Sequence, residues 1–119
     1  MPTLQAFVVI KLVLLEGRRQ MTAYAIAQVR ILDTVRYHQY QVAVSSVVTS
    51  YGGRFLSRGG RREVLEGDEL FDRVVILEFL DYETVVKFFN SPEYAEAKQH
   101  RVGSAIFHFC VLDGRAEAV

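Results

Sequence analysis

Ten residues do most to limit what this chain can fold into: Tyr51-Gly52-Gly53-Arg54-Phe55-Leu56-Ser57-Arg58-Gly59-Gly60. A glycine adopts positive φ without a Cβ penalty, so each glycine pair marks an abrupt change of direction. Between the pairs, Arg54, Leu56 and Arg58 alternate with Phe55 and Ser57. Period two is the signature of a strand. Read as an unbroken strand, it sets Arg54 and Arg58 on one face.

The neighbouring segments have equally readable periods. Ala23 to Ile31 alternates Tyr24, Ile26, Gln28 and Arg30 with Ala25, Ala27, Val29 and Ile31. That predicts a strand with one small apolar face for helices to cover. Asp33 is placed to cap the next segment, where Tyr37, Tyr40, Val44, Val47, Val48 and Tyr51 recur at helical steps. Glu63 to Leu65 reads as a hairpin-like excursion, and Gly67-Asp68 as a turn. Arg73 to Phe79 is apolar enough for a central strand. Asp81 caps a short helix with Tyr82, Val85, Val86 and Phe89 expected inside. Ser91-Pro92-Glu93 opens a further helix, with a serine cap, a proline in the first turn and an early acid. It carries Tyr94, Ala97, Lys98 and Arg101 on one face and ends near Gly103. Ile106 to Leu112 is the last strand, closed by Asp113-Gly114. The order predicts an α+β sandwich: one antiparallel sheet with helices on one face.

Composition removes several function classes. The chain has 119 residues, enough for one domain, with 14 basic and 14 acidic side chains. A formal net charge of zero supplies no field toward nucleic acid or an acidic membrane. Arg58-Gly59-Gly60-Arg61-Arg62 is too short for an RNA-binding arginine–glycine arm and is followed by Glu63, Glu66, Asp68 and Glu69. The single cysteine, Cys110, excludes an intrachain disulfide and argues against a cysteine zinc site. A reducing cytoplasm fits. Residues 1–20 form an extension of separate status. Its apolar run Ala6–Leu15 is too short for a membrane span and carries Lys11 at its middle. The domain proper occupies residues 21–119.

Taken together, the glycine-bracketed arginine strand, Glu63-Val64-Leu65-Glu66-Gly67, Arg73 to Phe79, Asn90-Ser91-Pro92-Glu93-Tyr94 and the final apolar strand resemble the domain-of-unknown-function family 1330. That family is a branch of the dimeric α/β-barrel (ferredoxin-like) superfamily. The resemblance covers the chain from Met21 onward. It implies a βαββαβ fold with the first and third strands central. It also implies a homodimer in which two bare sheet faces meet. It implies no assigned activity.

The bare face is therefore where function is expected. It offers Tyr24 and Gln28 on the first strand, Arg54 and Arg58 on the second, Glu78 on the third and His108 on the fourth. One reading is structural: an Arg58–Glu78 ion pair, with the other polar groups registering a non-catalytic homodimer. The other is a pocket in which Arg54 or Arg58, with Tyr24 and Gln28, holds a small carboxylate or phenolic compound while Glu78 or His108 moves a proton. Superfamily analogy adds cofactor-independent chemistry. No cofactor motif is present, and the three histidines lack metal-ligand spacing. His38 reads as solvated and His100 as a helix-end cation. Ser91 is a cap rather than a nucleophile.

Overall fold

The computed structural model describes residues 22–114. The extension at 1–20 lies outside the described residues. The elements are β1 (Ala23–Ile31), α1 (Thr34–Ser50), β2 (Arg54–Arg58), β3 (Arg73–Phe79), α2 (Tyr82–Phe89), α3 (Pro92–Arg101) and β4 (Ala105–Asp113). The sheet order is β2-β3-β1-β4, and all three pairings are antiparallel. Strands one and three are central, as the family resemblance implies. The fold is α+β, with the helices on one side of the sheet.

Local chemistry sets the element ends. Asp33 caps α1 by accepting from the Arg36 amide, and the Asp81 carboxylate and Ser91 hydroxyl do the same for α2 and α3. At the far end of α1, Gly52 takes φ +74°. Its amide donates to Thr49 O, and the Gly53 amide donates to Val48 O. This double closure satisfies carbonyls that the helix leaves open. Gly53 has a second constraint: a Cβ there would lie 2.5 Å from the Phe79 ring. The other end of α3 is held by Arg36, whose Nη2 donates to Val102 O and Gln99 O. A cation at a helix carboxyl end is favourable.

Between sheet and helices sits the core. Ala23, Ala25, Ala27 and Val29 make the β1 surface shallow, which lets larger groups from the helices reach it. Phe79, Phe88 and Tyr94 are almost wholly buried there. Each contributes roughly 2–3 kcal/mol relative to exposure. One stripe differs from expectation. In α2 the buried residues are Val85 and Phe88, while Tyr82 and Val86 are exposed. The helix is rotated so that Phe88 enters the space between Phe79 and Tyr94, with ring centroids at 5.2 and 4.9 Å. Aromatic packing of that kind outweighs the pattern of β-branched residues. The excursion at Glu63–Leu65 contains no strand; residues 60–72 are irregular.

Candidate functional site

The decisive local feature is a β-bulge in β2. Arg54 pairs with Glu78 and Phe55 with Leu77; the register then slips between Phe55 and Ser57, so that Ser57 pairs with Ile76 and Arg58 with Val75. Leu56 is the extra residue. A bulge of one residue inverts the facing of everything beyond it. Arg54 therefore lies on the bare face and Arg58 beneath the helices. This corrects the expectation that the two arginines share a face. It also removes the expected Arg58–Glu78 pair. Glu78 is instead bonded by Arg54, Nε to Oε1 at 2.9 Å.

The bare face does carry the other expected residues. Tyr24 is flanked by Glu78 and Leu112, and Gln28 by Val74 and His108. His108 packs edge-on against Phe71, with ring centroids 5.0 Å apart. Glu78 and His108 are not adjacent, however. They are separated by two strand spacings and by four residues along β1, roughly 16 Å in all. One small substrate cannot be reached by both from a single subunit. Between them the face is apolar: Ile26, Ile76 and Cys110.

Arg58 belongs to a different site, a cleft between α1 and the sheet. Its Nη2 donates to Gln41 O and to the Ser45 hydroxyl, both at 2.8 Å, and its guanidinium lies 4.1 Å from the centre of the Phe55 ring. Arg73, the first residue of β3, also lines the cleft. The Gln41 amide oxygen, turned toward Arg73, accepts from both of its terminal nitrogens at 3.1 Å. The Nε of Arg73 is buried and has no partner. Gly59, at φ +69°, lets the chain pass this guanidinium: a Cβ there would lie 2.6 Å from Arg73 Cζ. Tyr37 and Tyr40 complete the polar lining, among apolar side chains that include Val75, Leu77 and Phe107. The cavity is partly open and has a volume of about 30 Å³. That volume accommodates a water or two, or a single carboxylate group.

The electrostatics of this cleft are one-sided. No carboxylate lines it. Among the described residues the ion pairs are Arg54–Glu78 and Arg62–Glu69, so neither cleft arginine is neutralised by an acid. Burial pushes the Tyr37 phenol above its ordinary value, against the opposing charges of Arg73, Arg101 and Arg58. Burial also holds Tyr40 well above the phenol range, reinforced by the neighbouring Tyr94 hydroxyl. Both phenols are therefore neutral at ordinary pH and serve as proton-bearing groups, Tyr37 near Arg73 and Tyr40 near Arg101.

Sequence reasoning placed Tyr37 and Tyr40 on the buried stripe of α1 and treated Arg73 only as the start of a strand. The missed signal was basic residues at both ends of the β2–β3 connection, aimed at one helix face bearing Gln41 and Ser45. Among the described residues no cluster of histidine, cysteine and acidic groups suits a metal ion, and no helix is long and apolar enough to cross a membrane.

Comparison with solved structures agrees with the fold. A protein of unknown function from Rhodopseudomonas palustris, RPA0582, is 22% identical, with a TM-score of 0.67 over 95% of this chain and 94% of that one. A dimeric protein of unknown function and ferredoxin-like fold from Bacteroides fragilis is 12% identical, with a TM-score of 0.56 over 77% of this chain and 95% of its own. A dimeric ferredoxin-like protein of unknown function from Thermobifida fusca is 16% identical, with a TM-score of 0.55 over 78% and 91% respectively. No curated protein sequence matches. The family model described as Domain of unknown function (DUF1330) matches residues 22–115, and the chain belongs to that family.

Proposed function

We propose that this protein binds a small organic anion, a carboxylate or phenolate, in the cleft between α1 and the sheet, and that it acts there without a cofactor. One observation carries the reading. Two arginines line a mostly apolar cleft that contains no carboxylate, and one of them keeps a buried, unpartnered N–H. Buried cations are ordinarily paired because their desolvation is costly. A ligand anion supplies the missing partner, and the arginine fork fits a carboxylate in two-point fashion. In the same site, developing negative charge on an enolate or phenolate oxygen would be stabilised by Arg73 and Arg58, with a neutral tyrosine as proton donor.

We further infer a homodimer built on the bare sheet face. Ile106 and Leu112 are about half exposed there, at 47% and 54%, near the two ends of β4, and Ile26 and Ile76 pair on the neighbouring strands. Exposed apolar side chains on a bare sheet face call for a cover. Two of the similar structures are described as dimeric. On this reading Tyr24, Gln28, Arg54, Glu78 and His108 register the interface, and the ligand site of each subunit lies on the other side of its sheet.

A thermal-shift series with benzoate and salicylate tests the ligand reading. Ligand at a hundredfold excess over its dissociation constant should stabilise the wild type by about 2.7 kcal/mol. Arg73→Ala and Arg58→Ala should lose that gain, while Arg54→Ala keeps it. No rise with either acid, or a rise that survives Arg73→Ala, rejects the cleft as the site.

A further inference from the structure

Behind the cleft wall lies a third arginine, whose burial the ligand reading leaves unexplained. Arg101 of α3 is only 8% exposed, and its Nε is buried without a partner. Its guanidinium sits 3.9 Å from the centre of the Phe107 ring and 5.5 Å from that of Tyr40. Its Nη2 donates to the Tyr94 hydroxyl at 3.4 Å. That hydroxyl is in turn 2.9 Å from the Tyr40 hydroxyl.

We propose that Tyr40 is a hydrogen-bond donor to the ligand of the cleft, its hydroxyl proton turned into the cavity by the Tyr94–Arg101 pair behind it, so that the ligand must present an acceptor oxygen there. This rests on the cleft being the ligand site and adds which face of the ligand it reads.

The proton count gives the direction. A phenol has one proton to donate and lone pairs to accept with. Tyr94 is 1% exposed, and its hydroxyl meets only Arg101 and Tyr40 among the described residues. Arg101 can only donate. If Tyr40 donated to Tyr94, the Tyr94 proton would be buried with no acceptor, which costs the full desolvation of that group. If Tyr94 donates to Tyr40, the Tyr94 proton has its acceptor. The one left over then belongs to Tyr40, the member of the pair that lines the cavity. The guanidinium charge reinforces this order, since a hydroxyl that accepts from a cation is a stronger donor. Arg101 and Tyr94 are thus positioning residues. Burial keeps Tyr40 protonated, so it offers a proton and not a negative charge to the ligand. The favoured ligand oxygen is a carboxylate, phenolate or enolate oxygen that accepts from this phenol, in a cleft that Arg73 also lines.

Ring-¹³C-tyrosine labelling of the full chain tests the direction without a ligand. A slowly exchanging hydroxyl proton is assigned to its ring by coupling to the labelled carbons and by its loss in Tyr94→Phe or Tyr40→Phe. The expected carrier is Tyr94. A slow proton carried by Tyr40, or exchange at the solvent rate in both, overturns the proposal. Salicylate then serves as the probe. Tyr40→Phe should weaken its binding about tenfold, and Tyr94→Phe several-fold, while Tyr51→Phe has no effect. Binding that needs Arg73 but ignores Tyr40→Phe defeats this inference alone. Absence of salicylate binding to the wild type defeats the cleft reading and the ligand half of this inference with it.

Discussion

Replacing Arg73 by methionine separates a structural arginine from a ligand-holding one by the sign of the stability change. The substitution keeps a long side chain but removes the charge. The losses are the two bonds from the terminal nitrogens to the Gln41 side-chain amide oxygen and a distant contact with the Tyr37 ring at 6.0 Å. Hydrogen bonds from a charged donor contribute about 1.5–3 kcal/mol, and the ring contact about 0.5 kcal/mol. Gln41 is only partly buried and recovers part of its share from water. On the other side, the Nε orphan costs about 1–3 kcal/mol and desolvation of a half-buried guanidinium several more. Relief of repulsion from Arg58 adds to the gain. The expected net effect is a stabilisation of about 1–2 kcal/mol. For a domain of this size that raises the melting temperature by about 4–8 °C. Urea unfolding at pH 7 measures it, and the slope should be unchanged if the native state keeps its surface. Ligand stabilisation should vanish in the same protein, the usual relation between a strained site and fold stability. A loss of 2 kcal/mol or more would show Arg73 to be a structural strut and would remove the reason for placing an anion beside it.

Three further outcomes follow from named contacts. Gly59→Ala should cost about 1–3 kcal/mol in urea unfolding, because the residue sits at φ +69° and its Cβ would displace the Arg73 guanidinium; it should also weaken anion binding, whereas Gly60→Ala should do neither. Glu78→Gln should change stability by under about 1 kcal/mol, because its partner Arg54 is largely exposed; a double-mutant cycle with Arg54→Met measures the pair. Asp81 is held below its ordinary value by the Thr84 hydroxyl and amide, so its contribution is present above the unfolded carboxylate value and is lost as pH falls through the lower folded value. Asp81→Ala should therefore cost about 1 kcal/mol at pH 7 and almost nothing at pH 2, read by circular dichroism melts.

Most of the fold was legible in the letters because short-range chemistry states it directly. Asp33, Asp81 and Ser91 are caps that the structure uses as such. The alternation of β1 gave its two faces correctly, since nothing interrupts its pairing with β3 or β4. The site was harder to read for one physical reason. Arg54-Phe55-Leu56-Ser57-Arg58 alternates cleanly, yet the pairing with β3 spends two residues against one at the bulge. Side-chain period is a property of one strand, whereas facing is a property of the ladder, and a bulge is invisible until the partner is present. That slip moves Arg58 to the helix side, leaves Arg54 with Glu78 and turns the expected gathering into two separate surfaces. Arg73 and Arg101 were hidden by convention: a basic residue at an element end reads as solvent-facing, and only the packed layers show the guanidiniums half-buried and buried respectively.

The most direct test is a titration of the ¹⁵Nε-arginine spectrum with salicylate. The Arg73 Nε–H lacks any acceptor in the free protein, so its resonance should move furthest downfield as the carboxylate arrives, followed by Arg58, with Arg54 unmoved. Movement of Arg54 with Arg58 and Arg73 silent would place the anion on the bare sheet face and contradict the cleft as the site.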